Sequence, residues 1–227
     1  MQPVWHVRGS MSTRCNQTKG GIEMSGNSAD IVNIVISGVG GQGVLTLAEI
    51  MAKAALVDGL NVRVGEIHGM AQRGGHVICT VRIGSDVRGP IVDTGTADIL
   101  VGFEPAETLR EVSLIKPEGY ILMNTHVVYP VAVSMGKAEY PSEDTIDSSL
   151  REFTENIIKF DAMQFAKDAG SSRSMNMVMM GAVIGSSLTP ISEDSALQTI
   201  VSAFPGKFES INKSAFRRGL EEVRNHI

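Results

Sequence analysis

The stretch Ile31–Gly43, IVNIVISGVGGQG, decides the fold of this 227-residue chain. It begins as a short apolar run rich in β-branched residues and ends in glycines at positions 38, 40, 41 and 43, with Gln42 among them. Residues 44–58 are mostly apolar and favour a helix. A strand, a glycine-rich turn and a helix in this order are typical of the opening unit of a nucleotide-binding-like α/β domain.

The glycine-rich turn predicts either a binding loop or a tight connection. Gly38 and Gly40 permit backbone angles that a Cβ forbids, and they let the chain pass close to a ligand. The free N–H groups at the start of the next helix, with the positive end of its dipole, favour an anion such as phosphate or carboxylate. Gln42 adds an amide at the rim of the loop. Because many α/β proteins use such a turn for packing alone, both interpretations stay open.

Composition narrows the class of protein. With 43% hydrophobic residues the chain can bury one sizeable core, so we expect a single domain at 31–227 behind a disordered tail at 1–30. The net charge of −5 argues against a general binder of nucleic acid or of anionic membranes. Cys15 and Cys79 are far apart, which predicts no metal site in this chain alone and a reducing, cytoplasmic setting. No apolar run reaches the roughly 20 residues of a membrane span.

A second glycine-rich stretch, GEIHGMAQRGGH at 65–76, follows a predicted strand at 61–67. Its polar side chains are those of Glu66, His68, Gln72, Arg73 and His76. Their place past the end of a strand is the ligand side of an open α/β sheet. Arg73, just before Gly74-Gly75, has the fork geometry to hold a carboxylate or phosphate through two hydrogen bonds.

The remaining pattern predicts a three-layer α/β/α, Rossmann-like domain with a largely parallel, mixed sheet. Residues 76–83 alternate between apolar and polar, and the short loop before them favours an antiparallel neighbour. Further strands are predicted at 96–102, 120–124 and 156–160. Helices are predicted from 105 toward Ile115, at 161–169, at 174–187, after Ser192 and at the C-terminus, with a turn at 117–119.

Two later segments have alternative interpretations. Asn124 ends a predicted strand in line with the two glycine-rich loops, so it is a candidate cofactor-binding residue, although an ordinary capped strand end fits equally well. The run SMNMVMMGAVIGSS at 174–187 suits a cofactor slot less well than a buried helix. In that helix, Gly181 and Gly185 would permit the close approach of a neighbour.

Together, the two glycine-rich motifs resemble the gamma-type domain of the 2-oxoacid:ferredoxin oxidoreductases. The first is GVGGQG at 38–43, and the second is EIHGMAQRGG at 66–75. With its His68, Gln72 and Arg73, the second motif is most similar to the small (beta) subunit of the indolepyruvate enzymes. The resemblance extends from about residue 30 to the C-terminus.

The resemblance implies a heteromeric enzyme that converts aryl pyruvates such as indolepyruvate, with coenzyme A, to an aryl-acetyl-CoA and carbon dioxide, and reduces ferredoxin. It implies that thiamine diphosphate, magnesium and [4Fe-4S] clusters belong to a larger alpha subunit, and that this chain holds no cofactor or metal and is inactive alone. The candidate cofactor-binding residues are Gly38, Gly40, Gly41, Gln42, Gly43 and Asn124, and the glycine-rich loop contacts either coenzyme A or only the partner. The candidate catalytic residues, on the loop that faces the partner or substrate, are Glu66, His68, Gln72 and Arg73.

Four other interpretations remain open. The first is the same subunit role in another 2-oxoacid enzyme, acting on pyruvate, 2-oxoisovalerate or 2-oxoglutarate. A nicotinamide-dependent oxidoreductase would place Glu66 on the cofactor ribose, but the strand at 76–83 follows too soon for a βαβ crossover. An adenylating enzyme of the ubiquitin-activating kind uses a similar loop and usually has paired Cys-x-x-Cys motifs, which this sequence lacks. A pure interaction subunit would use both loops for packing.

Overall fold

The computed structural model describes residues 31–68 and 74–227. Within these residues one six-stranded sheet is flanked by helices. The strands are β1 (Val32–Val39), β2 (Val62–His68), β3 (His76–Ile83), β4 (Ala97–Gly102), β5 (Ile115–Asn124) and β6 (Ile157–Phe160). The α-helices are α1 (Val44–Val57), α2 (Pro105–Arg110), α3 (Val131–Ser134), α4 (Glu143–Arg151), α5 (Ala162–Asp168), α6 (Met175–Gly185), α7 (Glu193–Ala203) and α8 (Lys207–Arg224).

The sheet is mixed, as predicted. Its strand order is β2-β3-β1-β4-β5-β6. β1, β4, β5 and β6 pair in parallel, whereas β3 is antiparallel to both β1 and β2. The short connection that predicted an antiparallel strand at 76–83 therefore led to the correct pairing. It also inserts β3 between β1 and β2, so the two strands that carry the glycine-rich motifs are not neighbours.

The helices form the two outer layers of the predicted α/β/α arrangement. One face of the sheet carries α1 and α5–α8, where Ile36 packs in a core with Leu47 and Phe216. The opposite face carries α2 and α4, where Val35 packs in a second core with Leu150. Since successive side chains of a strand point to opposite faces, the alternation along β1 separates these two cores.

The Met-rich run forms α6, a helix in which every residue is buried. Its close neighbour is α8, and glycines make that approach possible. A Cβ built on Gly181 would lie 1.9 Å from the carbonyl oxygen of Phe216, and one built on Gly219 would lie 1.9 Å from that of Val178. The contact at Gly185 is less tight, since a Cβ built there would lie 2.6 Å from the carbonyl oxygen of Leu220. The predicted close approach at Gly181 and Gly185 is confirmed, and the third glycine comes from the partner helix.

One boundary differs from the sequence-based expectation. The helix that begins at Pro105 ends at Arg110 instead of continuing toward Ile115, and β5 already begins at Ile115. The predicted turn at 117–119 lies inside β5, where a Cβ on Gly119 would meet Ile115 and the carbonyl oxygen of Ala97. The register against β4 shifts between Ala97 and Ile99, so an irregular pairing absorbs the residues that sequence analysis assigned to a turn.

Side-chain caps and one carboxylate fix the ends of several helices. Ser192 accepts a hydrogen bond from the N–H of Ser195, as its predicted capping role requires. Asp58, at the end of α1, accepts hydrogen bonds from the Ser192 N–H at 2.7 Å and from the Ser195 hydroxyl at 2.5 Å. This carboxylate joins α1 to α7. Among residues 31–68 and 74–227, no helix combines the length and the apolar character that a bilayer crossing requires.

Candidate functional site at the switch point of the sheet

The connections of the parallel strands define a crevice at one edge of the sheet. The chain leaves β1 toward α1 on one face, and it leaves β4 toward α2 on the other face. β1 and β4 are neighbours, so the connections that leave their carboxyl ends diverge to opposite faces of the sheet. This divergence is a topological switch point. Ligands of open α/β sheets bind at such points. The glycine-rich loop that follows β1 lies there.

Gln42 holds the loop from within. Its Oε1 accepts a hydrogen bond from the Val39 N–H at 2.7 Å, and its Nε2 donates to the Phe103 carbonyl at 3.2 Å. Both ends of the Gln42 side chain therefore bind the protein, and its predicted role in cofactor binding stays a prediction. Gly38 also serves packing, since a Cβ there would lie 2.8 Å from Phe103 Cβ.

The open part of the loop is its backbone. Gly41 and Gly43 have φ of 103° and 92°, a conformation that strongly favours glycine, and nothing lies within 4 Å of a Cβ built on Gly41. Gly43 is the N-cap of α1 and makes no side-chain cap, so the N–H groups of the first helical turn are not capped by that residue. Asn176 of α6 is buried, and its Nδ2 lies 3.0 Å from the Cβ position of Gly43.

Asn124 is a structural crosslink in this chain. It is fully buried, and its Nδ2 donates to the Phe103 carbonyl at 2.9 Å. Its Oδ1 accepts from the N–H groups of Ala162 at 3.0 Å and His126 at 3.3 Å. These bonds connect the ends of β4 and β5 to the start of α5. Of its two interpretations, the ordinary strand end is the one that its contacts support, and a role in cofactor binding stays a prediction.

The second motif is divided between two places. Glu66 is exposed on the edge strand β2, opposite Cys79 of β3, and is two strands away from β1. At about 4.8 Å per strand, that is roughly 10 Å across the sheet. His68 is the last residue of β2, and the predicted roles of Gln72 and Arg73 concern positions outside the described residues. Gly74 and Gly75, however, lie against the first loop: Gly40 N–H donates to Gly75 O at 2.8 Å, and Gly74 N–H donates to Gly40 O at 3.3 Å.

A charged cluster that sequence analysis did not identify lies next to this contact. His76 Nδ1 is 2.5 Å from Glu107 Oε2, and its Nε2 is 3.0 Å from Glu111 Oε1. Glu107 is buried and also binds Arg110 Nε at 3.0 Å. The available signal was the i, i+4 spacing of the two glutamates, but nothing in the sequence related them to a histidine 31 residues earlier.

Glu104, the N-cap of α2, is a fully buried carboxyl group at the end of β4. Burial raises its pKa, although the Tyr140 hydroxyl donates a hydrogen bond to Oε1 and the Glu107 N–H donates to Oε2 at 3.0 Å. A cavity of about 370 Å³ opens beside Tyr140 and is also lined by Pro105, Met123 and Tyr129. In the part of the chain that the structure describes, no three His, Cys, Asp or Glu side chains converge as a metal site would require.

The fold and the crevice define a doubly wound α/β domain whose candidate ligand edge carries a glycine-rich loop. The chain belongs to the pyruvate ferredoxin/flavodoxin oxidoreductase family, whose model matches residues 33–222. The resemblance inferred from the two motifs is thereby confirmed.

Relatives in this family cover most of the chain. "Indolepyruvate oxidoreductase subunit IorB" of Thermococcus kodakarensis is 42% identical over 196 residues, which are 86% of this chain and 97% of the relative. The subunit of the same name from Archaeoglobus fulgidus is 39% identical over 192 residues, 85% of this chain and 95% of the relative. The crystal structure of a keto/oxoacid ferredoxin oxidoreductase gamma subunit from Geobacter sulfurreducens has a TM-score of 0.61 and 26% identity, covering 85% of this chain and 98% of that one.

Proposed function

We propose that this chain is the small subunit of an indolepyruvate:ferredoxin oxidoreductase in the cytoplasm. The observation that carries the proposal is the 42% identity to the Thermococcus kodakarensis subunit across 97% of its length. The complex would cleave carbon dioxide from an aryl pyruvate, transfer the acyl group to the thiol of coenzyme A and deliver the two electrons to ferredoxin. Pyruvate, 2-oxoisovalerate and 2-oxoglutarate are the alternative substrates.

In this proposal a larger alpha subunit holds thiamine diphosphate, magnesium and the [4Fe-4S] clusters. The described residues of this chain support that division of roles. Cys79 is fully buried, and burial, with the nearby charge of Glu66, raises the pKa of its thiol to about 12. Because the thiolate is the form that binds a metal, Cys79 is unsuited to hold a cluster.

We infer that the backbone of the loop at 40–43 and the first turn of α1 bind an anionic part of coenzyme A. The support is the uncapped helix start, the open space at Gly41 and the position at the switch point. Leu45, in the first turn of α1, is 39% exposed and offers a test. In the assembled complex, Leu45→Glu would place a carboxylate where the anion binds, so KM for coenzyme A should rise about tenfold.

Leu45→Gln is the matched control, since it has the same shape as Leu45→Glu without the charge. It should keep KM for coenzyme A within about twofold of the unmodified enzyme. Equal KM values for the Glu and Gln variants would contradict an anion site at this loop. Both variants remove the same exposed leucine, so a loss of assembly common to the two would report on a subunit contact instead.

We propose that the second motif faces the substrate or the partner through Glu66, His68, Gln72 and Arg73. Arg73→Ala separates the two roles. If Arg73 holds an anionic substrate group, turnover should fall while the complex still co-purifies. If it serves packing between subunits, the larger chain should be lost from the complex. Arg73→Lys is the control, because it keeps the charge and loses the forked geometry.

Nicotinamide binding is disfavoured by the topology. In a dinucleotide-binding fold the acidic residue that binds the ribose ends the strand beside β1. Here β3 separates the two strands, and Glu66 is exposed on the sheet edge. Titration of the purified chain with NAD should therefore give no saturable binding in the micromolar range.

The proposed function is tested by co-purification of this chain from its native cells, followed by an assay of dye reduction. A larger partner that contains iron and thiamine diphosphate should co-purify and reduce a viologen dye when indolepyruvate and coenzyme A are both present. The substrate is identified by comparing kcat/KM for indolepyruvate with kcat/KM for pyruvate and for 2-oxoglutarate. A lone protein without a partner, or activity that does not require coenzyme A, would overturn the proposal.

A further inference from the structure

His76 lies between the two glycine-rich loops and α2, the helix that follows β4. It is the first residue of β3 and pairs with Val39, the last residue of β1. The two residues before it are Gly74 and Gly75, which exchange backbone hydrogen bonds with Gly40. The backbone of His76 is therefore connected to the loop at the switch point through Val39 and through the two preceding glycines.

The imidazole is held from both sides by carboxylates. Glu107 Oε2 lies 2.5 Å from Nδ1, and Glu111 Oε1 lies 3.0 Å from Nε2. A neutral imidazole carries one N–H and one lone pair, so it can donate to only one of these two acceptors. An imidazolium donates to both, and charge-assisted bonds of this kind are stronger than neutral ones. The geometry therefore fits a cation at this position.

Of the two carboxylates, that of Glu107 has a further ionic bond. The Glu107 side chain is 7% exposed and shares its Oε2 with Arg110 Nε at 3.0 Å, while its backbone N–H donates to the buried Glu104. The Glu111 side chain is 18% exposed and lies directly after α2. Since Glu107 lies in α2 and Glu111 directly follows it, the bonds of His76 connect the start of β3 to this helix.

We propose that His76 is a positioning residue that clamps the loop at 40–43 to α2 through its ionic bonds with Glu107 and Glu111. Its contribution to coenzyme A binding rests on the proposed function, whereas the clamp itself does not. The charge of residue 76 is the essential property, since a neutral side chain that donates to one carboxylate gives up its bond to the other in a largely buried place.

Residue-resolved hydrogen exchange of the full chain tests the clamp. In His76→Gln the Gly40 amide, which binds Gly75 O, should exchange about tenfold faster, and amides of α6 and α8 should keep their rates. His76→Arg should stay within about twofold of the unmodified chain, because a guanidinium can bind both carboxylates. His226→Gln, at an exposed C-terminal position, is the control and should change neither set of amides.

A double variant provides the second measurement. If Glu111 acts through His76, His76→Gln/Glu111→Gln should exchange no faster at Gly40 than His76→Gln alone. An unchanged Gly40 rate in His76→Gln, equal acceleration of all amides, or an arginine variant as fast as the glutamine variant would each overturn the clamp.

Kinetics of the assembled complex separates the clamp from the proposed function. His76→Gln should raise KM for coenzyme A about fivefold and leave kcat within twofold, as expected for a residue that acts through the loop. If Leu45→Glu raises this KM and His76→Gln does not, the positioning role is overturned. If neither variant changes it, the coenzyme A site at the loop is overturned, and hydrogen exchange still decides the clamp.

Discussion

Gly219 gives the sharpest test of how this fold is held together. It lies on α8 where that helix crosses α6, and a Cβ added there would lie 1.9 Å from the carbonyl oxygen of Val178. An ordinary close C···O approach is about 3.3 Å, so Gly219→Ala lacks about 1.4 Å of space. The obstacle is helix backbone, which cannot rotate away as the end of a side chain can. The two helices must therefore separate.

The free-energy cost of separating the two helices exceeds the gain in helix propensity from replacing glycine by alanine. Alanine in a helix interior is favoured over glycine by about 1 kcal/mol. A gap of about 1 Å already loses up to half of the dispersion attraction at an interface, and overpacking a core typically costs about 1–3 kcal/mol, sometimes more. Since α6 is buried throughout, we expect Gly219→Ala to lower the free energy of unfolding by about 3 kcal/mol net.

Urea unfolding of the isolated chain measures this loss. With an m-value of about 2–3 kcal/mol per M, the midpoint should fall by about 1–1.5 M without a change in slope. In thermal unfolding the same loss corresponds to about 6–12 °C for a domain of this size. Gly181→Ala should behave alike, because its Cβ would lie 1.9 Å from Phe216 O, and Gly185→Ala should cost less.

Gly89→Ala is the matched control. No atom lies within 4 Å of a Cβ at Gly89, and its φ is not in the left-handed region. This substitution should be neutral or should raise stability by up to about 1 kcal/mol through the unfolded chain. If the midpoint of Gly219→Ala matched that of Gly89→Ala, the close contact between α6 and α8 would not limit the packing, and the reasoning would fail.

Two further predictions concern buried titratable groups. Tyr140→Phe removes a donor from the buried Glu104 carboxylate and should cost about 1–3 kcal/mol, whereas Tyr129→Phe, on an exposed ring, should be near neutral in the same urea titration. The pKa of Glu104 is raised in the folded state, so the free energy of unfolding falls as pH rises through that folded pKa. Without the Tyr140 donor this fall should be larger. The destabilisation by Tyr140→Phe should therefore be greater at pH 8 than at pH 5. Burial and the charge of Glu66 raise the pKa of Cys79 to about 12. In a Cys15→Ser background, the Cys79 thiol should therefore not react with a thiol reagent at pH 8 until the chain unfolds. Rapid modification of the folded chain would show that β3 opens readily.

The predictable part of the fold rests on local signals. The β-branched run before Gly38 and the alternation at 76–83 gave β1 and β3, and the short connection gave the antiparallel pairing. Glycines in the Met-rich run indicated a close neighbour, although only the structure shows that α8 contributes Gly219 to the same contact. These features were accessible because each depends on residues near one another in the chain.

The site was less predictable, since its geometry depends on residues that are distant in sequence. His76 lies 31 residues before Glu107, and no periodicity relates a strand start to the end of a later helix. Glu66 has a spacing typical of a ribose-binding acid, but the insertion of β3 moves it two strands from the loop. Residue type and spacing predicted the candidate edge of the sheet, whereas strand order decides which side chains reach that edge.

Gln42 and Asn124 show why polar residues at a predicted site need structural assignment. Both were expected to face a ligand, yet the Nε2 of Gln42 and the Nδ2 of Asn124 converge on the carbonyl oxygen of Phe103, at 3.2 and 2.9 Å. That oxygen therefore joins the glycine-rich loop and the ends of β4 and β5. A loop that binds an anion through backbone N–H groups must hold those groups in place before the ligand arrives. The two amides supply this rigidity, which leaves the backbone at Gly41 and the first turn of α1 as the part of the loop that remains available to a ligand.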